Sequence, residues 1–140
     1  MRYFMLCVLV LCVLAQIAGI SEATSLVHAG ILTVAYEASS EPYEGQVMVA
    51  SVIKTRMLRR KQTIKEVVYA PSQFSCWLAN GKPAQTRELT FKEIETAIRA
   101  WREARPGRWT NYTRFDCRPE WTHKASETIR VGKHLFYAFR

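Results

Sequence analysis

The chain has 140 residues, which is enough for one domain with a substantial core and too few for two. It carries 20 Lys and Arg against 12 Asp and Glu, giving a net charge of +8 and a sequence pI of about 9.6. This balance predicts attraction to polyanions, and the absence of repeats or low-complexity segments excludes a repeat array.

Residues 1–23 have the layout of a signal peptide. One charged residue, Arg2, precedes a long apolar run, which is followed by a less hydrophobic segment that contains Ala and Gly. Small residues before position 24 predict cleavage after Ala23, which leaves an exported domain of residues 24–140 in the periplasm or outside the cell. The rival interpretation is a weak membrane anchor through residues 3–20, near the length that spans a bilayer. Such an anchor would tether the protein transiently until release, as in some phage lysins.

Two cysteines, Cys76 and Cys117, remain once residues 1–23 are removed. An even number of cysteines in an oxidising compartment favours one disulfide between them. Free buried thiols are also compatible with the sequence, because it does not give the distance between the two residues.

Three carboxylates crowd into residues 37–44, between two segments with apolar residues at helical spacing. Glu37 is expected near the end of the first helix, and Pro42 suits the first position of the second. Partial burial disfavours the charged form of a carboxyl group and keeps it protonated closer to neutral pH, as a general acid requires. Glu37 is therefore a candidate acid, whereas Glu41 and Glu44 are expected at the surface, favouring the helix dipole.

Several later elements can be predicted from local signals. Capping boxes at residues 63–66 and 90–93 open a short helix and a core helix, which Pro71 and residues 105–107 end. Residues 70–77 form a loop with the aromatic and polar mixture that lines a sugar groove, and residues 78–89 are expected to form an exposed loop.

The C-terminal third adds more aromatic residues and a β element. Residues 108–121 mix four aromatic residues with Asn, Thr and Asp, which could supply a second wall of the groove. Residues 128–139 combine β-branched and aromatic residues, and Gly132 would allow a bend. The fold class expected is therefore α+β and mostly helical, with a small C-terminal β element.

Metal, nucleophile and nucleic-acid sites are poorly supported. The three histidines, His28, His123 and His134, lack paired ligand spacing, and no serine lies in a Gly-flanked elbow. The cations of residues 54–61 have no interleaved aromatic residues, which favours a solvated helix end over a nucleic-acid site. No metal or cofactor is expected.

Taken together, the motifs resemble the cell wall hydrolase family typified by the spore-cortex-lytic enzyme SleB. The family opens with Glu-Ala-Arg-Gly-Glu-Pro-Tyr and then Gly-Gln-Val, and residues 37–47 read Glu-Ala-Ser-Ser-Glu-Pro-Tyr-Glu-Gly-Gln-Val. Ser39 and Ser40 replace the usual Arg and Gly. Residues 68–77 and 131–137 are also similar to family blocks, whereas residues 111–118 fit least well.

The resemblance implies a lysozyme-like single domain that cleaves the β-1,4 bond between N-acetylmuramic acid and N-acetylglucosamine in peptidoglycan. Glu37 matches the catalytic glutamate, and the favoured reaction is that of a lytic transglycosylase, which forms 1,6-anhydro ends. By hypothesis, the groove residues are Gln73, Phe74, Tyr112 and Trp121.

Two alternatives remain open. A muramidase-type hydrolase would use Glu41 or Asp116 as a second carboxylate to position water. A catalytically silent, wall-binding or structural lysozyme-like protein would explain the Ser39-Ser40 departure and the positive charge. In either case the expected partner is the glycan strand, and a monomer is expected.

Overall fold

The computed structural model describes residues 27–78, 80–84 and 87–140. The predicted signal peptide or anchor lies outside these residues. Helix α1 is described over residues 27–38, and it is followed by α2 (Tyr43–Arg60), α3 (Ile64–Val68) and α4 (Phe91–Glu103). Strand β1 (Trp109–Arg114), a 3₁₀ helix (Glu120–Lys124), β2 (Glu127–Val131) and β3 (His134–Ala138) complete the domain. The predicted mostly helical α+β class is therefore confirmed.

Helix α2 is the centre of the domain, because α3, α4 and β1 all pack against it. The apolar residues Val49 and Ile53 of α2 are fully buried in one core with Val34 of α1. At Gly30 of α1 a Cβ atom would lie 2.5 Å from the Trp101 ring, so this position must stay small for α1 and α4 to meet. Burial of these apolar surfaces is the main stabilising contribution to such a core.

Local capping signals predicted the helix starts well. Thr63 with Glu66, and Thr90 with Glu93, form reciprocal capping boxes at α3 and α4. Pro42 precedes α2 as its N-cap rather than occupying its first position. The expectation of a solvated basic helix end holds for Arg59, Arg60 and Lys61, which are exposed.

Two other cations of α2 have structural partners. Lys54 Nζ donates to the carbonyl oxygens of Trp101 and Ala104, at 2.6 and 3.0 Å, and so caps the end of α4. Arg56 is only 5% exposed, and its Nε donates to the Thr110 carbonyl oxygen at 2.6 Å. Arg56 therefore ties α2 to β1.

The sheet has three antiparallel strands in the order β1-β3-β2. The predicted C-terminal β element is the β2–β3 hairpin, with Gly132 in its turn at a φ of +59°. Strand β1 was not predicted, because its pairing partner β3 lies about 20 residues further along the chain. Among the described residues, no helix is long and apolar enough to cross a membrane.

Candidate active site

A cavity of about 610 Å³ lies between the helices and the sheet, and Glu37 lines it. The helical wall and its loop supply Tyr36, Glu37, Arg56, Ser72, Gln73 and Ser75, and the sheet side supplies Tyr112, Thr113, Arg114, Cys117 and His134. Among these lining residues, Glu37 is the only carboxylate. A second cavity of about 530 Å³, next to Leu58 and Trp101, has no acidic residue among its described lining.

Three donors hold the Glu37 carboxylate at the end of α1. Ser75 Oγ and the Cys76 backbone N–H donate to Oε1, each at 3.0 Å. The Tyr112 hydroxyl donates to Oε2 at 3.2 Å from β1. Residues that are far apart in the chain therefore fix both oxygens of the carboxylate, as expected of a preorganised catalytic group.

The loop after α3 presents its donors because its apolar residues anchor it. Phe74 is 4% exposed and Cys76 is fully buried, so Ser75 between them is left to face the cavity. Ser72 has a φ of +59°, a conformation rare outside glycine, and it turns the chain just after Pro71. This loop was predicted to line a groove, but its contact with Glu37 was not predicted.

Tyr112 links the sheet to Glu37. Strand positions alternate between faces, and the pairing of Tyr112 with Phe136 and of Arg114 with His134 places these four residues on one face. Burial, followed by the charge of Glu37, raises the pKa of the Tyr112 hydroxyl well above its usual value of 10.0. Tyr112 therefore remains a protonated phenol that can donate to Glu37.

Two basic residues whose pKa values are lowered, Arg56 and His134, also line the cavity. Burial lowers the pKa of Arg56 to about 10, although Tyr112 opposes the shift, and its guanidinium lies 5.4 Å from the centre of the Phe74 ring. Burial likewise lowers the pKa of His134, although Glu41 and Glu37 oppose the shift. His134 is only 6% exposed, and the centre of its ring lies 5.0 Å from that of Tyr112.

The predicted second carboxylates lie elsewhere. Glu41 is 8% exposed rather than at the surface, because Oε2 accepts a hydrogen bond of 2.7 Å from the Lys133 backbone N–H in the β2–β3 turn. Asp116 is exposed and pairs with Arg114 at 2.7 Å. Glu44 is exposed in the first turn of α2, as expected. Neither Glu41 nor Asp116 lines the cavity.

The predicted groove residues divide into two pairs. Gln73 and Tyr112 line the cavity with Glu37. Phe74 instead packs in the core against Tyr112, and Trp121 packs on Tyr137 and Phe139. Sequence alone did not separate these aromatic residues, because a groove and a core both favour large apolar side chains.

The predicted disulfide does not form in this structure. Among the described residues both cysteines are free thiols: Cys76 is buried, and Cys117 is exposed in the turn after β1. Burial, together with the nearby Glu37 carboxylate, raises the pKa of Cys76, so this thiol is unreactive. The loop with Cys76 is instead fixed to Glu37 by a backbone hydrogen bond.

No metal centre is evident in the part of the chain that the structure describes, where no three His, Cys, Asp or Glu residues cluster suitably. The sequence did not identify Arg56 and His134 as cavity residues, and it placed Ser75 in the groove loop without its contact to Glu37. The signal for His134 was its position two residues after the hairpin glycine, Gly132, within the block similar to the family.

Comparisons with known proteins address the fold and the family. The catalytic domain of SleB from Bacillus cereus matches with a TM-score of 0.59 and 23% identity, over 79% of this chain and 90% of that one. The catalytic domain of the germination-specific lytic transglycosylase SleB from Bacillus anthracis matches with a TM-score of 0.60 and 27% identity, over 78% of this chain and 91% of that one. These similarities confirm the predicted lysozyme-like fold. No curated protein gives a significant match.

The family model for cell wall hydrolases matches residues 40–137, well over half of the chain. Glu37 lies just before the matched range, so its assignment depends on the cavity geometry. The predicted SleB-type family and its enzyme class are confirmed, and the cell wall is the expected site of action. The chain belongs to the cell wall hydrolase family.

Proposed function

We propose that this protein is a peptidoglycan lytic transglycosylase that cleaves the β-1,4 bond between N-acetylmuramic acid and N-acetylglucosamine. The observation that carries the proposal is the cavity lining, in which Glu37 is the only carboxylate among the described residues. The similarity to a solved lytic transglycosylase at 27% identity supports it.

A single carboxylate favours internal attack over hydrolysis. Most glycosidases use two carboxyl groups, one as the acid and the other as a nucleophile or as a base for water. Here Glu41 binds the hairpin backbone and Asp116 pairs with Arg114 at the surface. A transglycosylase needs only one such group, because the muramoyl C6 hydroxyl replaces water.

The hydrogen bonds of Glu37 distinguish its two oxygens. Oε1 faces the Cys76 N–H, which can only donate, so Oε1 remains an acceptor. Oε2 faces the Tyr112 hydroxyl, which can donate or accept. The acid proton therefore belongs on Oε2: the Tyr112 hydroxyl accepts from protonated Glu37 and donates to the ionised carboxylate.

Glu37 alone can then serve as the acid and afterwards as the base of the reaction. The proton on Glu37 Oε2 passes to the glycosidic oxygen as its bond to C1 of the muramoyl residue breaks, and positive charge develops at C1. The Glu37 carboxylate next accepts the proton of the C6 hydroxyl while O6 bonds to C1. The products are a 1,6-anhydro muramoyl end and a free N-acetylglucosamine hydroxyl, and Glu37 is again protonated.

Product masses test this proposal. Peptidoglycan sacculi would be digested with wild-type protein, Glu37→Gln and, as a matched control, the exposed Glu44→Gln, and the soluble muropeptides would be weighed. We expect anhydro-muramoyl ends from the wild type and Glu44→Gln only. Reducing ends, one water heavier, would instead indicate a muramidase, and release that does not depend on Glu37 would favour a wall-binding protein.

We also propose that the protein acts outside the cytoplasm as a monomer, after removal of residues 1–23. N-terminal sequencing of the exported protein tests the leader. A start at Thr24 would support cleavage, and a retained Met1 would favour the membrane tether.

A further inference from the structure

His134 and Glu41 form a buried pair at the edge of the Glu37 cavity that the reaction above does not use. His134 is 6% exposed, and its Nδ1 atom is enclosed without a hydrogen-bond partner among the residues that the structure describes. Glu41 Oε2 is 3.9 Å from Nδ1, and its side chain is only 3% exposed. An unpaired buried polar atom facing a buried carboxylate is costly unless the two interact.

The backbone of the β2–β3 turn holds Glu41 in this place. Its Oε2 accepts the Lys133 N–H at 2.7 Å, and a Cβ atom on Gly132 would collide with the same oxygen. The turn also has a φ of +59° at Gly132, which glycine adopts readily. The turn that carries His134 into the cavity is therefore built around the Glu41 carboxylate.

His134 also adjoins the group that binds Glu37. Its ring meets that of Tyr112 edge to face, with centres 5.0 Å apart, and Tyr112 donates to Glu37 Oε2. Since Nδ1 is enclosed and the residue lines the cavity, Nε2 is the nitrogen left to face substrate.

We propose that His134 contacts the substrate and that Glu41 is its positioning residue: Nδ1–H points to Glu41 Oε2, and Nε2 accepts a hydrogen bond from a hydroxyl of the bound sugar. This inference rests on the proposed function, because it takes the cavity to be a glycan site. The Glu41 carboxylate favours the tautomer of His134 that carries its proton on Nδ1. The hydrogen bond made by one ring nitrogen of a histidine determines whether the other nitrogen donates or accepts. The separation of 3.9 Å exceeds a hydrogen bond, and such contacts often shorten only when substrate binds.

Burial supports a neutral imidazole at His134, against the charges of two nearby carboxylates. Burial lowers its pKa from 6.5, Glu41 and Glu37 oppose that shift, and Arg114 adds to it. Tyr112, which also faces the ring, remains a neutral phenol. At neutral pH, Nε2 is then free to accept a hydrogen bond.

Nitrogen NMR of labelled histidine tests the tautomer without any turnover. In the wild-type protein we expect Nδ1 to be protonated and Nε2 to be unprotonated at neutral pH. Glu41→Gln keeps an oxygen for the Lys133 N–H but loses the charge, so the pKa of His134 should fall. A dominant Nε2–H tautomer in the wild type, or a His134 titration unchanged in Glu41→Gln, would overturn the proposal.

A matched pair of substitutions tests the contact with substrate. The amide of His134→Gln reaches the place of Nε2, whereas that of His134→Asn reaches only the place of Nδ1. We expect about a tenfold or greater loss of glycan cleavage in His134→Asn and partial retention in His134→Gln. Equal losses in two folded variants would contradict the contact, and if neither variant folds, the wild-type tautomer decides.

These outcomes are separable from the failure of the proposed function. Loss of the Glu37-dependent products would remove the transglycosylase reaction, while the histidine tautomer could still be as proposed. Conversely, an Nε2–H tautomer would exclude the proposed contact of His134 with substrate, while the reaction at Glu37 could still occur as proposed.

Discussion

Two acidic residues four positions apart, Glu37 in the cavity and Glu41 at its edge, are held in very different ways. On the helical wall, Glu37 is partly exposed and receives donors from Ser75, Cys76 and Tyr112. Glu41 lies just before α2, where it is buried, and its carboxylate accepts a hydrogen bond from the backbone of the β2–β3 turn.

This difference shows how one short motif can supply two roles. A carboxylate that lines an open cavity can exchange a proton with substrate, whereas one enclosed against a backbone N–H organises structure. Their environments, and not their residue type, therefore separate the acid from the positioning group.

The largest effect is expected at Glu37. Glu37→Gln keeps the shape of the side chain but cannot transfer a proton, so the rate of glycan cleavage should fall by about 10²–10⁴. Thermal unfolding should change little, because the amide can still accept from Cys76. The measurement is the rate of muropeptide release with a parallel melting curve. A variant with near wild-type activity would remove Glu37 from the mechanism.

The next effect concerns the turn on the sheet side. Gly132→Ala introduces both a positive-φ penalty and a collision with Glu41 Oε2, whereas Gly81→Ala, at a φ of +74°, meets only ordinary contacts with Tyr69. Each variant should lose about 1 kcal/mol of unfolding free energy from its backbone conformation. Gly132→Ala should lose at least about 1 kcal/mol more. Denaturant titration measures both, and equal losses would show that Glu41 does not constrain the turn.

A smaller effect is expected at Tyr112, whose hydrogen bond joins the sheet to Glu37. Tyr112→Phe removes the donor to Glu37 Oε2, and cleavage should slow by about tenfold. The matched control is Tyr137→Phe, which removes a hydroxyl that shares a 3.2 Å hydrogen bond with Thr113 outside the Glu37 contact. Activity should fall only in Tyr112→Phe. Similar rates in the two variants would exclude a catalytic role for the Tyr112 hydroxyl.

The smallest effect is a dependence of stability on pH. Burial lowers the pKa of His134 in the folded protein, so below pH 6.5 the unfolded chain binds more protons than the folded one. Neutral His134 contributes its full stabilisation above pH 6.5. This contribution is lost as the pH falls from 6.5 toward the lower pKa that His134 has in the folded protein. Denaturant titrations should show a weaker loss in this window for His134→Gln. An identical pH profile in that variant would contradict the assignment.

The helical half could be predicted from the sequence because its signals are local. The capping boxes at Thr63 and Thr90 join residues three positions apart, and the structure confirms both. The hairpin at Gly132 is likewise marked by neighbouring residues. Glu37 was found as the candidate acid through its place at the end of an apolar helix, and the structure places it in the cavity.

The rest of the site depends on contacts between distant residues. Tyr112 and Glu37 are 75 residues apart, and Ser75 and Glu37 are 38 apart. Periodicity does not report such pairs, so strand β1 and the cavity role of His134 were missed. The burial of Arg56 and Glu41 was missed for the same reason, since charged residues are expected at the surface unless their partners are known.

The most direct test of the central claim is digestion of sacculi in water enriched in heavy oxygen, followed by mass spectrometry of the new muramoyl ends. If the muramoyl C6 hydroxyl attacks, as we propose, the wild-type products carry anhydro ends with no heavy oxygen. Incorporation of one heavy oxygen at each new reducing end would show that water attacks and would contradict the single-carboxylate transglycosylase account.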